Sequence, residues 1–149
     1  MACNSSGLNS KCTVSSQTAY NNTTQTVPAT TTAVAIMGNL VTNTGRCITT
    51  QNGGFIIKES GVYTIKCDIT FTAISAGTES IQLYLNGVVM PCSVNSYTTT
   101  ESGIITLHTE TTAYIPVCCK STSNVSINVS GVAGTISHVC ATAVKHDPS

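Results

Sequence analysis

Three histidines, eight cysteines and six carboxylates are the groups through which this chain could do chemistry. His108 stands in ITLHTE, two residues before Glu110, and residues at that spacing share one face of a strand. Such a pair could move a proton or hold a metal. No GxSxG or similar nucleophile motif accompanies it, so a solvated outer face is the simpler reading. His138 and Cys140 share a face in the same way, and Cys118 or Cys119 could approach from another strand as further metal ligands. The sequence offers no fourth ligand, and ordinary packing explains the pair equally well. Asp68 beside Lys66 reads as a surface charge pair, and the acids from Glu59 to Asp147 do not cluster as calcium requires. Asn-x-Ser/Thr triplets at Asn4, Asn21, Asn22, Asn124 and Asn128 are what chance provides in so Ser- and Thr-rich a chain. The reading therefore assigns no catalytic residue, no metal ligand and no cofactor. Tyr84, Tyr97 and Tyr114 remain as candidates for surface recognition, since a tyrosine ring can stack on a sugar. Tyr84 is out of phase with Leu83 and Leu85 and should face outward.

The cysteines are Cys3, Cys12, Cys47, Cys67, Cys92, Cys118, Cys119 and Cys140. An even count suggests disulfides in a secreted protein. Yet the opening MACNSSGLNSKC has neither the basic nor the apolar region of a signal peptide. Several cysteines fall on apolar phases of strands, where a free thiol packs as a small hydrophobe. Reduced core cysteines are the first expectation, some disulfides the second and a metal the third. No pair has CxxC spacing.

Composition narrows the partners. Only 8% of residues are charged and the formal net charge is zero, so a phosphate-binding surface for nucleic acid is not expected. The six cations are scattered, and no apolar run approaches the roughly 18 residues of a membrane span, so no membrane partner is expected either. Ser, Thr and Asn supply the polarity. Thr favours strands because its branched Cβ stiffens χ1, and the strong helix formers are sparse.

The elements that must position these residues are strands. In GVYTIKCDITFTA (61–73), Tyr63, Ile65, Cys67, Ile69, Phe71 and Ala73 alternate with Thr64, Lys66, Asp68, Thr70 and Thr72, giving one dry face and one wet face. Ile81, Leu83 and Leu85 make the next dry face, and Asn86-Gly87 is a hairpin turn into VVMPCSV. Strands are also expected over 33–41, 47–50, 55–58, 104–111, 113–118, within NVSINVSG and over 135–145, with Asn52-Gly53 as a second tight turn. Pro116 marks an edge or a bulge. Residues 1–32 are polar and nearly aperiodic, and they read either as an extended N-terminal arm that lies on a neighbouring subunit or a host surface or, equally, as an ordinary leading loop packed on its own domain. Residues 33–145 read as one domain and 146–149 as a tail. Eight to ten short strands with no helix predict an all-β antiparallel sandwich.

The order of these features is more specific. Gly61, Tyr63 and Ile65 opening a long strand, followed by Leu83, Leu85, Asn86 and Gly87, resembles the globular domain of the C1q and tumour-necrosis-factor superfamily. FIIKESG before that strand and Ala-Val-Lys at the end of the last one are consistent with it. The resemblance implies a jelly roll over 33–145 that assembles as a homotrimer. It places Tyr63, Ile65, Ile69, Phe71, Leu83 and Leu85 in a core or at the three-fold interface. There is no collagen-like Gly-X-Y run. The Cys118-Cys119 pair and the opening Met-Ala-Cys-Asn are similar instead to small domains of Gram-positive gut bacteria and their phages, which resemble head fibres, capsid decorations or spore-surface proteins.

The expectation is a non-enzymatic structural protein. It would be a trimeric capsid-decorating or head-fibre protein on the surface of a phage virion, held to the shell by its arm, with adhesion to glycans as an added role. The alternative is a spore-surface or secreted extracellular lectin-like binding module. A metal-binding protein or enzyme using His108 with Glu110, or His138 with Cys140, is the third reading.

Overall fold

A computed structural model describes residues 15–34, 39–44 (backbone course only), 46–51, 53–118 and 121–146. The described residues form thirteen strands in chain order. They are β1 (Ser15–Asn21), β2 (Gln25–Val27), β3 (Thr32–Ala33), β4 (Asn39–Thr44), β5 (Ile48–Gln51), β6 (Gly54–Ile57) and β7 (Gly61–Ala73). Then follow β8 (Gly77–Leu85), β9 (Val88–Val89), β10 (Asn95–Thr99), β11 (Gly103–Ile115), β12 (Ser123–Gly131) and β13 (Gly134–Lys145).

They make two antiparallel sheets. One has six strands in the order β11-β7-β13-β1-β4, with β2 also on β13. The other has seven, in the order β10-β8-β12-β6-β5, with β3 on β12 and β9 on β8. The inner faces supply the core: Tyr63, Ile65, Cys67, Ile69 and Phe71 from β7 meet Ile81 and Leu83 from β8, with Ile127 from β12 and Val139 from β13 in the same cluster. The period-two pattern of β7 is thus the burial pattern, in which each odd-numbered residue from Tyr63 to Ala73 is buried.

Both expected tight turns close two-residue hairpins. Leu85 pairs with Val88 across Asn86 and Gly87, which have φ of 52° and 86°. Positive φ at both central positions is the type I′ geometry that Asn-Gly supplies without strain. Gln51 likewise pairs with Gly54 across residues 52 and 53.

Three expectations change. The boundary at residue 33 does not hold, because β1 is hydrogen-bonded on both sides, to β13 and to β4, and β2 and β3 also join the sheets. Its inward residues are Ser15, Gln17 and Ala19, all buried, so the strand carries no apolar alternation to betray it. The arm proper can comprise only residues 1–14, which lie outside the described residues, as does the tail at 147–149. The strand expected over 33–41 divides into the end of β3 and the start of β4. The two strands expected over 104–118 are one, β11, in which the inward Thr109 and Thr111 interrupt the apolar phase without ending the strand. Their hydroxyls donate to the backbone carbonyls of Ser93 and Pro91. Buried hydroxyls satisfied in this way cost little, and here they bind the 91–93 loop to the edge of the six-stranded sheet. Pro116 comes directly after the last residue of β11.

Candidate functional site

The side chains with chemical potential divide between the two outer faces and the interior. On the outer face of the six-stranded sheet, register places His108 opposite Asp68 and Glu110 opposite Lys66. His108 Nδ1 lies 2.7 Å from Asp68 Oδ1, and its Nε2 lies 3.9 Å from Glu110 Oε1. Asp68 thus pairs with His108 rather than with Lys66. Directly opposite residues on antiparallel strands are closer than residues two apart on one strand, and cross-strand proximity wins. All three of these side chains are about half exposed, so the pair is a solvent-screened contact of small energetic weight. His138 turns outward through a bulge between Ile136 and His138, and its Nδ1 lies 2.5 Å from Asn22 Oδ1. His146 Nε2 lies 2.6 Å from the Thr64 hydroxyl. Among the described residues no three of His, Cys, Asp and Glu converge as metal ligands. This same face exposes Val62 (41%) opposite Tyr114 (62%), and Ile104 (71%) farther along β11.

The outer face of the seven-stranded sheet has another chemistry. Thr78 and Thr98 hydroxyls lie 3.0 Å apart, those of Ser80 and Ser96 2.7 Å apart, and Gln82 Nε2 donates to Ser130 Oγ at 2.8 Å. Asn128 Nδ2 donates to Ser126 Oγ at 3.1 Å, and Gln51 Nε2 to Asn124 Oδ1 at 3.3 Å. This is a ladder of amides and hydroxyls tied to one another across neighbouring strands. Tyr84, half-buried, stands among them opposite Ser126.

The three tyrosines do not form a joint site. Tyr84 faces outward as its phase predicts, but Tyr114 is on the opposite outer face. Tyr97 turns inward against the core, and its hydroxyl bonds with the backbone of His108 at 3.2–3.3 Å. Tyr97 is therefore a structural tie between β10 and β11. Tyr63, Ile65, Ile69, Phe71 and Leu83 lie in the core with almost no exposure, and Leu85 packs on the margin of that core. The Tyr63 hydroxyl donates to the Glu59 carbonyl at 2.6 Å, and burial pushes its ionisation far above the ordinary tyrosine range.

The cysteines are mixed rather than uniformly reduced. Cys47 and Cys118 are disulfide-bonded, whereas Cys67 (buried), Cys140 (half-buried) and Cys92 (exposed) are free. Burial raises the Cys67 thiol well above its usual value, so it acts as a small apolar group.

Glu79 is the group not anticipated as functional. It shares the inward phase of Ile81 and Leu83 on β8, and it has no exposed surface. Neither carboxyl oxygen makes a well-formed hydrogen bond, and the hydroxyl of Thr99 nearby on β10 is also enclosed and unpartnered. Desolvation raises its pKa to about 7, against a smaller opposing pull from the Val132 amide. Gly131 makes room for it, since a Cβ there would stand 2.7 Å from Glu79 Oε1 and 2.1 Å from the Thr78 carbonyl oxygen. The signal was present in the sequence, because an acid on the dry phase of a strand has no cheap explanation.

No protein-family model matches the sequence, and no curated protein matches it. Solved structures do. The PRD1 vertex protein P5 superposes with a TM-score of 0.62 at 12% identity, over 89% of this chain and 72% of that one. Murine APRIL, a tumour-necrosis-factor family member, gives 0.61 at 12% identity over 89% and 98%. The globular domain of zebrafish complement 1qA gives 0.52 at 12% identity over 89% and 96%. The fold is a jelly roll of the C1q and tumour-necrosis-factor type. None of the three is named as an enzyme, and they give no support to a gut-bacterial source. Superposition at identity this low shows the jelly roll alone and leaves the role to be argued from the surfaces.

Proposed function

We propose that the chain is a homotrimeric jelly-roll module displayed on the outside of a particle, as a capsid decoration or head fibre of a virion. The observation that carries this reading is the outer face of the six-stranded sheet. Its exposed Val62, Tyr114 and Ile104 are a poor surface to leave against water, and they flank the Lys66, Asp68, His108 and Glu110 cluster. A face with apolar ends and charges of both signs at its middle suits burial against copies of itself, because each sign finds its opposite on the neighbour. The same fold in a protein named for a particle vertex supports display on a particle. Residues 1–14 would be the anchoring arm, and the neutral face of the other sheet would meet the surroundings, including glycans.

The assembly is tested by mass photometry of the wild type beside Ile104→Asp with Tyr114→Asp. The wild type should be a trimer and the double variant should dissociate while keeping its fold. Deleting residues 2–14 should leave the trimer intact and abolish attachment to particles. Attachment that survives the deletion contradicts the arm.

The second reading is a spore-surface or secreted C1q-like binding module, favoured by the likeness to the complement 1qA globular domain. Neighbouring genes for capsid and portal proteins support the first reading, and sporulation genes the second.

A further inference from the structure

The two outer faces of the sandwich differ in kind. Among the described strand residues that point outward, the charged ones (Lys66, Asp68 and Glu110) all lie on the six-stranded sheet. The outward positions of β8, β10 and β12 carry only hydroxyls, amides and Tyr84. Resting on the display reading above, we propose that this uncharged face binds a neutral polysaccharide, centred on Tyr84, Gln82, Ser126 and Asn128.

Register fixes the centre: Ser126 lies opposite Tyr84, and Asn128 opposite Gln82. The phenol ring presents an apolar plane on which the C–H face of a sugar ring can lie, with a hydroxyl at its rim. Beside it, two amides and a serine offer both donors and acceptors, as the hydroxyls of a saccharide require. The side chains are ordered before any ligand arrives. Gln82 Nε2 is tied to Ser130 Oγ at 2.8 Å and Asn128 Nδ2 to Ser126 Oγ at 3.1 Å, which lowers the entropy lost on binding.

One atom points to a ligand independently. Gln82 is 8% exposed although it occupies an outward position, and its Oε1 has no donor among the protein's own groups. An enclosed amide oxygen without a donor is costly, and a sugar hydroxyl arriving beside Tyr84 supplies one after a small rotation of the soft terminal torsion. The absence of cations on the face selects against acidic polysaccharides, whose carboxylates or sulfates would lose hydration with nothing to replace it. The sheet path is five strands across, about 20 Å at ordinary strand spacing, which suits a chain of sugars better than a single one.

Affinity electrophoresis of the whole protein tests this, run at about pH 8.5 so that a chain of pI 6.8 migrates. The gels contain dextran, mannan or laminarin as neutral polymers, and alginate or polygalacturonate as acidic ones. At least one neutral polymer should retard the protein, and neither acidic polymer should. Tyr84→Ala and Gln82→Ala should each weaken retardation tenfold or more, and Tyr84→Phe should largely retain it. Unchanged mobility in all three neutral gels overturns the proposal, as does retardation that survives both Tyr84→Ala and Gln82→Ala in variants whose unfolding temperatures match the wild type. Light scattering of the same sample separates the two claims. A trimer that binds no neutral polymer overturns this proposal alone, and a monomer overturns the assembly whatever the gels show.

Discussion

Glu79 combines full enclosure, no well-formed hydrogen bond to either carboxyl oxygen and a pKa raised from 4.5 to about 7. The folded chain therefore holds this proton more tightly than the unfolded chain does. Linkage then fixes the sign. The stabilising contribution is complete below about pH 4.5, declines as the unfolded carboxyl and then the folded one ionise, and is gone above about pH 7. Opposite Glu79 in register stand Tyr97 and Gly131, with Thr99 two residues along β10, and none of them carries a charge; the Val132 amide alone favours the ionised form, and it is outweighed by burial. Thermal unfolding followed from pH 5 to pH 8.5 should show a midpoint that falls with pH. Glu79→Gln should remove most of that slope and be more stable than the wild type at pH 8.5. An equal slope in the variant would assign the dependence to other groups. His108 and Asp68 offer a contrast at the same scale, because their exposure leaves His108→Ala with an expected cost of about 0–1 kcal/mol in denaturant unfolding of the monomeric unit.

At the scale of elements, close approaches of the backbone decide what is tolerated. Gly54 opens β6 opposite Ser126 of β12, and a Cβ there would fall 1.7 Å from the Val125 carbonyl oxygen. Because the obstacle is backbone, Gly54→Ala should cost about 1–3 kcal/mol or more, as overpacked interiors do. Gly87, whose Cβ would meet nothing within 4 Å, is a control that tests φ alone, at 86°. Phe71, fully buried between the sheets, should cost about 3–5 kcal/mol as Phe71→Ala. Denaturant titration read as midpoint and slope checks all three.

The elements also show what was legible beforehand. β7 and β8 were plain, since inward apolar and outward polar residues alternate through Phe71 and Leu83, and Asn86-Gly87 dictated its own turn. β1 was not, because Ser15 and Gln17 face inward and an interior position filled by polar side chains looks like linker. The full length of β11 is hidden in the same way, because inward Thr109 and Thr111 break its apolar alternation. The recognition candidates were partly legible. Tyr84 followed from phase, whereas the inward turn of Tyr97 depends on how β10 folds across to β11, which no local pattern encodes.

For the whole molecule, neutrality and the two contrasting faces form one argument. The outward-pointing charges of the described strands gather on the face that also exposes Val62, Ile104 and Tyr114 and carries hydroxyls such as Thr64 and Thr112, while the outward positions of β8, β10 and β12 on the other sheet are uncharged and add the amides of Gln82, Asn124 and Asn128. A chain with zero formal net charge gains little solubility from long-range repulsion, and the proposed trimer would cover this apolar exposure in a closed assembly rather than leave it to open-ended association. The measurement that tests this most directly is mass photometry of the wild-type protein across nanomolar concentrations at neutral pH. A trimer will appear as a single species at three times the chain mass of 15.4 kDa, lost in the Ile104→Asp, Tyr114→Asp variant. A stable wild-type monomer at all concentrations, checked by light scattering at micromolar protein, would contradict it.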